Sequence, residues 1–274
     1  MNNQEQGPAP AARFAAFSYS AYARYWTARL CSTFAIQIVA VAVAWQIYDL
    51  TRDPLDLGII GLVQFLPLLL LVLITGAVAD RFGRKLVMVL SIAGQLACTL
   101  TILYFSWRSL TTPFPVFVAL AGMGIARAFF GPASQSLTVN LVPTHIFPNA
   151  VAWNSSAWQL ASIAGPVMGG LLYGISKDVP YITAAVLLLA SFGLTASIPR
   201  PAQRTHAPKV TFSSLFDGLR YIRKEKVVLG AISLDLFAVL LGGAVALLPV
   251  YARDVLELGP WGLGILRAAP GIGA

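Results

Sequence analysis

The chain has 274 residues, 57% apolar and 11% charged, with a formal net charge of +8. Soluble domains carry about 25% charged residues. Here the apolar residues run in long blocks, which excludes one large water-soluble core and predicts transmembrane helices.

Residues 1–24 read as a cytoplasmic tail. Met1 to Ala23 contains Glu5 and scattered prolines, without the basic start and apolar core of a cleavable signal. Seven spans are predicted near Tyr25–Tyr48, Leu57–Ala79, Leu86–Trp107, Pro115–Pro132, Val151–Ile175, Tyr181–Ile198 and Val227–Tyr251. Each approaches the ~20 residues that a helix needs to cross about 30 Å of hydrocarbon. Cys31 and Cys98 fall inside these blocks and read as small buried helix residues, not a disulfide or metal pair. An eighth span opens at Trp261 and reaches Ala274 in mid-helix, the expectation for a piece of a longer protein.

Counting Lys and Arg by loop sets the topology. With the N-terminus inside, thirteen bases fall on the cytoplasmic side, Arg29, Arg81, Arg84 and Lys85 among them. Four fall outside, and Arg127 and Arg267 remain within spans. The positive charge is therefore that of a multi-pass inner-membrane protein obeying the positive-inside rule, with the lipid bilayer and not nucleic acid as its partner.

The polar stretch 199–226 divides six spans, residues 25–198, from the rest, residues 227–274. Its first part is a proline-bearing linker. From Thr211 to Lys226, Phe212, Leu215, Phe216, Leu219 and Ile222 recur at helical spacing, with Arg220, Arg223 and Lys224 off that stripe. This predicts an amphipathic helix on the inner membrane surface. A shift of 203 residues aligns Tyr48 with Tyr251, Leu55 with Leu258, Gly61 with Gly264 and Pro67 with Pro270. The shift sets spans one and two on spans seven and eight, the mark of two parallel halves.

The charged knot Asp80-Arg81-Phe82-Gly83-Arg84-Lys85 sits between spans two and three, with Gly76 just before it. Gly76 is expected to let span two pack closely and Gly83 to allow a tight reversal. Asp80 is expected near the N-terminus of span three, where an anion is favoured. Arg81, Arg84 and Lys85 are expected on lipid phosphates or on acids of neighbouring helices. The run from Gly76 to Lys85 resembles the loop signature of the major facilitator superfamily at every key position. That resemblance implies two six-helix halves and a loop that latches them while the cavity faces outward.

Two further runs carry the resemblance. Gly124-Ile-Ala-Arg127-Ala-Phe-Phe-Gly131-Pro132 resembles the family's second motif, whose arginine is linked to proton coupling, although Phe130 stands where a Gln is common. A charge at that depth is expensive and usually functional; the competing reading has Arg127 capping carbonyls inside the bundle. Gly165-Pro166-Val-Met-Gly169-Gly170 allows close helix contact and bends its helix. It resembles the motif of proton-driven drug antiporters, with Ala161 in place of a commoner glycine, and so implies efflux.

Asp235 is the one acid well inside a span, a candidate for picking up the driving proton or meeting a cationic substrate. The competing reading is a static ion pair with an arginine, and Arg267 is one such arginine. Gln37, Asn154, Trp158 and Gln159, with Trp26, Trp45 and Trp153, are candidates for the cavity wall, although Trp26 and Trp153 also suit interface anchors.

Tyr48-Asp-Leu-Thr51, the Asp80 loop, the Arg127 run and Leu247-Leu-Pro-Val-Tyr-Ala-Arg253 together resemble the branch that holds the enterobactin exporter and macrolide efflux proteins. The expectation is an all-α membrane protein, monomeric, without a cofactor and driven by the proton gradient. It would export a small organic molecule, siderophore or drug-like, by alternating access. A proton-coupled importer or facilitator stays open, as does a non-transporting scaffold or receptor. No Ser-His-Asp order, metal spacing or phosphate-binding glycine loop points to an enzyme.

Overall fold

The computed structural model describes residues 13–108, 111–199, 224–230, 233–234 and 242–273. Asp235 and the interfacial stretch as far as residue 223 lie outside the described residues, as does the side chain of Asp80. Six long helices follow a short 3-10 turn: α1 (Ser20–Thr51), α2 (Pro54–Phe82), α3 (Arg84–Trp107), α4 (Phe114–Leu141), α5 (Phe147–Ile175) and α6 (Val179–Ala196). After the undescribed stretch come a 3-10 turn over Gly242–Leu247, one α turn, a π turn over Tyr251–Val255, and α7 (Pro260–Gly273). Among the described residues there is no strand.

Proline starts most of these helices. A proline lies in the first turn of α2, α4, α5 and α6, and α7 begins on Pro260. A helix leaves its first N–H groups unpaired, so the missing proline N–H costs nothing there. The α1–α2 joint is two residues long: Arg52 takes a left-handed conformation (φ 54°), and the Asp53 carboxylate accepts from the Leu55 N–H at 2.8 Å. The α2–α3 joint is the single residue Gly83, at φ 88°, a conformation that side chains rarely adopt.

Among the described residues, five helices are long and apolar enough to cross a bilayer: α1, α2 over Pro54–Leu71, α3, α4 and α6. The 29-residue α5 is as long, but its first half carries Asn149, Asn154, Ser155, Ser156 and Gln159. Three predicted boundaries move. The helix of span four continues past Pro132 to Leu141. The described end of span seven is a mixed 3-10, α and π segment, not one regular helix. Asp80 belongs to the last turn of α2, not to the start of α3, because the chain reverses only at Gly83.

The helices pack as α1 on α5 and α6, α3 on α4 and α6, and α2 on α4, with α7 laid along α5. Tyr22, Tyr25, Ile38, Met88, Ile92, Leu120 and Tyr181 are fully or almost fully buried at these seams. α1 and α5 run parallel: Tyr22 meets Ala150 and Asn154 near their starts, and Gly169 lies against Ile38 further along. α4 barely touches α1 or α5. Where those three helices fail to close on one another, space remains.

Candidate functional site

That space lies along the first halves of α1 and α5 and the second half of α4. One part, of about 190 Å³, is lined by Arg29, Gln37, Arg127, Phe130, Gln135 and Trp158 among others. An adjoining part, of about 460 Å³, shares Arg29, Gln135 and Trp158 and adds Asn154 and Gln159. A third, between α2 and α4, has Gln64 and Arg127 on its wall. Gln37, Asn154, Trp158 and Gln159 therefore all lie on the cavity wall. Trp45 does not; it packs near the far end of α1. Trp26, Trp153 and Phe17 meet edge to face at the start of α1, with Phe14 stacked on Trp153, and the Trp26 indole donates to the Trp153 carbonyl at 2.9 Å.

Beneath the cavity runs a chain of buried polar groups. The Tyr25 hydroxyl donates to the Ser134 carbonyl and accepts from the Thr138 hydroxyl, both at 2.9 Å. The Asn154 amide donates to Thr138 at 3.3 Å, and the Tyr22 hydroxyl donates to Asn154 at 3.3 Å and to the Ala150 carbonyl at 2.9 Å. Buried polar groups cost free energy unless paired, so this chain fixes the wall where α4 makes little contact with α1 or α5. It also holds Arg29, whose guanidinium donates to the Tyr25 oxygen at 3.3 Å.

Arg29 is a cavity residue that loop counting does not reveal. Counted among the bases of the cytoplasmic side, it lies more than two turns inside α1 on the cavity wall. The available signal was its position four residues past Tyr25, inside an otherwise apolar run. Arg127 faces the same cavity and donates to the Gln64 side-chain oxygen at 3.3 Å, a partner the sequence did not suggest. Beside it, Gly124 lets α4 approach α2: a Cβ there would stand 2.6 Å from the Gln64 carbonyl oxygen.

The glycines of the α5 run form contacts between helices. A Cβ on Gly165 would stand 2.6 Å from the Gln37 Cβ, and one on Gly169 would be 3.0 Å from the Ile38 carbonyl oxygen, both on α1. Gly170 faces Pro260 and Gly264 of α7, and Gly264 in turn faces the Pro166 carbonyl. Arg267 reaches back from α7 to the Ala40 carbonyl at 3.0 Å.

At the end of α1 away from the cavity, two charged runs meet. Asp49 pairs with Arg253, whose guanidinium lies 5.5 Å over the Trp45 ring. Asp254 pairs with Arg52 at 3.4 Å and accepts a hydrogen bond from the Tyr48 hydroxyl.

Among the described contacts, two bases of the α2–α3 knot reach backbone carbonyls. Lys85 donates to the Ala196 carbonyl at 2.8 Å and to the Ile198 carbonyl, and Arg84 donates to the Ser136 carbonyl at 3.0 Å. Arg24 joins them on the Ser197 carbonyl at 2.9 Å. Ala196, Ser197 and Ile198 stand at the end of α6, where carbonyls lack helical partners and accept from these bases. Arg81 lies 5.7 Å over the neighbouring Phe82 ring. A Cβ on Gly76 would meet nothing within 4 Å among the described residues, so no close approach to them is made there.

A bundle of apolar helices around a polar, arginine-walled cavity is the architecture of an integral membrane protein. The Major Facilitator Superfamily model matches residues 25–274, and the chain belongs to that family. It is 26% identical over 235 residues to the uncharacterized MFS-type transporter YfiS of Bacillus subtilis, covering 81% of this chain and 54% of YfiS. It is 27% identical over 252 residues to the multidrug efflux pump Tap of Mycobacterium tuberculosis, covering 85% and 59%. With the enterobactin exporter EntS of Escherichia coli the identity is 26% over 270 residues, covering 94% and 62%. A crystal structure of a bacterial homolog of the human lysosomal transporter Spinster, inward-facing and unoccupied, superposes with a TM-score of 0.72 at 15% identity, over 97% of this chain and 62% of that one. The chain thus spans between half and two thirds of the length of these relatives.

Proposed function

We propose that the intact protein exports a small organic molecule across the inner membrane by alternating access, driven by the proton gradient. The observation that carries this reading is the asymmetry along α1. Its first half walls a polar cavity, while its last turn is tied by Asp49–Arg253 and Arg52–Asp254 to the segment before α7. With the N-terminus cytoplasmic, the cavity opens inward and the ion pairs close the outside. That is the state in which an exporter loads its substrate.

Efflux is supported by the Gly165–Gly170 run and by the names of Tap and EntS, which describe export. In this reading Arg127 and Asp235 support proton coupling. Asp80, Arg81, Gly83, Arg84 and Lys85 form the inner loop that gates the opposite state, and residues 199–226 link a six-helix bundle to a second one. The test is transport by the full-length protein in proteoliposomes carrying an imposed pH gradient. A panel of siderophores and ethidium-type drugs supplies the probes. Uptake against the substrate gradient that collapses with the pH gradient is expected, as is loss of that coupling in Asp235→Asn. Full coupling in Asp235→Asn would remove Asp235 from the mechanism, and absence of any transport would overturn the reading.

A further inference from the structure

The cavity wall carries two guanidinium groups and, among its described residues, no carboxylate. Arg29 from α1 and Arg127 from α4 both line the same space, with Gln37, Gln135 and Trp158 beside them. Among the described residues each arginine makes one side-chain hydrogen bond, to Tyr25 and to Gln64, at 3.3 Å in both cases, and neither forms an ion pair. A guanidinium has five N–H donors in a fork matched to carboxylate and phosphate oxygens. Most of that capacity is unspent on both residues. Two like charges facing one cavity repel each other, and the repulsion falls when an anion enters between them. Phe130 and the half-exposed Trp158 add flat apolar surface to the same wall.

We propose that this cavity takes a water-soluble organic anion with an apolar, preferably aromatic, body. Its carboxylate, sulfonate or phosphate engages Arg29 and Arg127, and its body lies against Trp158 and Phe130. The amides of Gln37 and Gln135 supply further polar contacts. Tyr25 acts as a positioning residue, because its fully buried ring and its bonds to Ser134 and Thr138 hold the oxygen that orients Arg29. The proposal rests on the export reading for its biological sense, but binding can be measured without transport.

The experiment uses the full-length protein in nanodiscs of zwitterionic lipid and three probes of one shape: 2-naphthoate, 2-naphthamide and 2-naphthylmethylammonium. Calorimetry is expected to show 2-naphthoate bound at least about tenfold more tightly than the other two, a difference of about 1.4 kcal/mol. Arg29→Gln and Arg127→Gln should each remove most of that preference, while Arg29→Lys, which keeps the charge, retains part of it. Because the comparison of probes is made on the unaltered protein, it stands even if a variant fails to fold. Equal or tighter binding of the cation overturns the proposal. So does tighter binding of dihexanoyl-phosphatidylglycerol than of 2-naphthoate, which would make the occupant a lipid headgroup. Drug transport in proteoliposomes together with cation preference would overturn the anion site and leave the export reading intact. Anion binding without any transport would do the reverse.

Discussion

Asp49, in the last turn of α1, pairs with Arg253, just before α7, while the Arg253 guanidinium covers the Trp45 ring one turn back. Beside it, Tyr48 and Arg52 both reach Asp254. Two adjacent residues of one segment thus meet two charges and a hydroxyl of the other. A crossed pattern of this kind fixes register as well as sign.

If these pairs hold the outer end shut, breaking them admits reagents from outside. In a background with Cys31 and Cys98 replaced, a cysteine at Gln37 should react slowly with an impermeant maleimide added to intact cells. Asp49→Arg alone should raise that rate, and Asp49→Arg with Arg253→Asp should lower it again. A partly exposed pair contributes about 1 kcal/mol at most, so the expected change is about fivefold. An unaltered rate in Asp49→Arg would show that the outer end is closed by other contacts.

The α5 glycines should separate into two kinds. Gly165→Ala places a methyl 2.6 Å from the Gln37 Cβ, whereas Gly174→Ala meets nothing within 4 Å. Overpacking of this order costs about 1–3 kcal/mol. Thermal unfolding in detergent should therefore show a lower midpoint for Gly165→Ala and an unchanged one for Gly174→Ala. Equal midpoints would mean that α1 and α5 shift apart freely.

A second buried polar group pins the opposite face of α1. The Gln46 amide donates to the Ser106 hydroxyl at 3.0 Å and its oxygen accepts from the fully buried Tyr181 hydroxyl at 2.5 Å; Ser106 then donates to Asp178 at 2.7 Å. Gln46→Leu leaves the Tyr181 hydroxyl unpaired, at a cost of about 1–3 kcal/mol. Tyr181→Phe in the same chain should recover part of that loss. Additive losses in the double variant would show that the two side chains act independently.

Lys85 should matter differently from its neighbour Arg81. Lys85 holds the last carbonyls of α6, while Arg81 touches only the adjacent Phe82 ring among the described contacts. Lys85→Met is expected to raise amide exchange over residues 193–199, with a stability loss of about 0.3–1 kcal/mol, as for a cation lost from a helix end. Arg81→Gln should leave that exchange alone. Identical profiles for the two variants would refute the distinction.

The helices were legible because apolar runs of membrane length leave little choice of structure, and the family was legible from the Gly76–Lys85 run. Boundaries were less so. Pro132 suggested an end to α4, yet a proline inside a membrane helix is tolerated where neighbours satisfy the freed carbonyl. Gly83 was read correctly as a reversal because only a backbone demand was involved. For Gly76 the described residues supply no close partner, since close packing depends on a second helix that the local sequence does not name. Likewise Gln37, Asn154, Trp158 and Gln159 were found on the cavity wall as polar or amphipathic residues in apolar helices. Arg29 was hidden by a topology rule that counts bases near a helix end without asking which way they face. Long-range partners such as Gln64 for Arg127, or Asp254 for Tyr48, have no local signal at all.

The division of labour along α5 has a mechanical consequence. Its first half, with Asn154, Trp158 and Gln159, walls the cavity; its second half, from Gly165 to Gly170, bears α1 on one side and α7 on the other. Fulcrum and wall belong to one continuous helix, with Pro166 between them. If α5 tilts with α7 about Gly170 and Gly264, Trp158 and Gln159 are carried along, and the chamber changes shape as the far end opens.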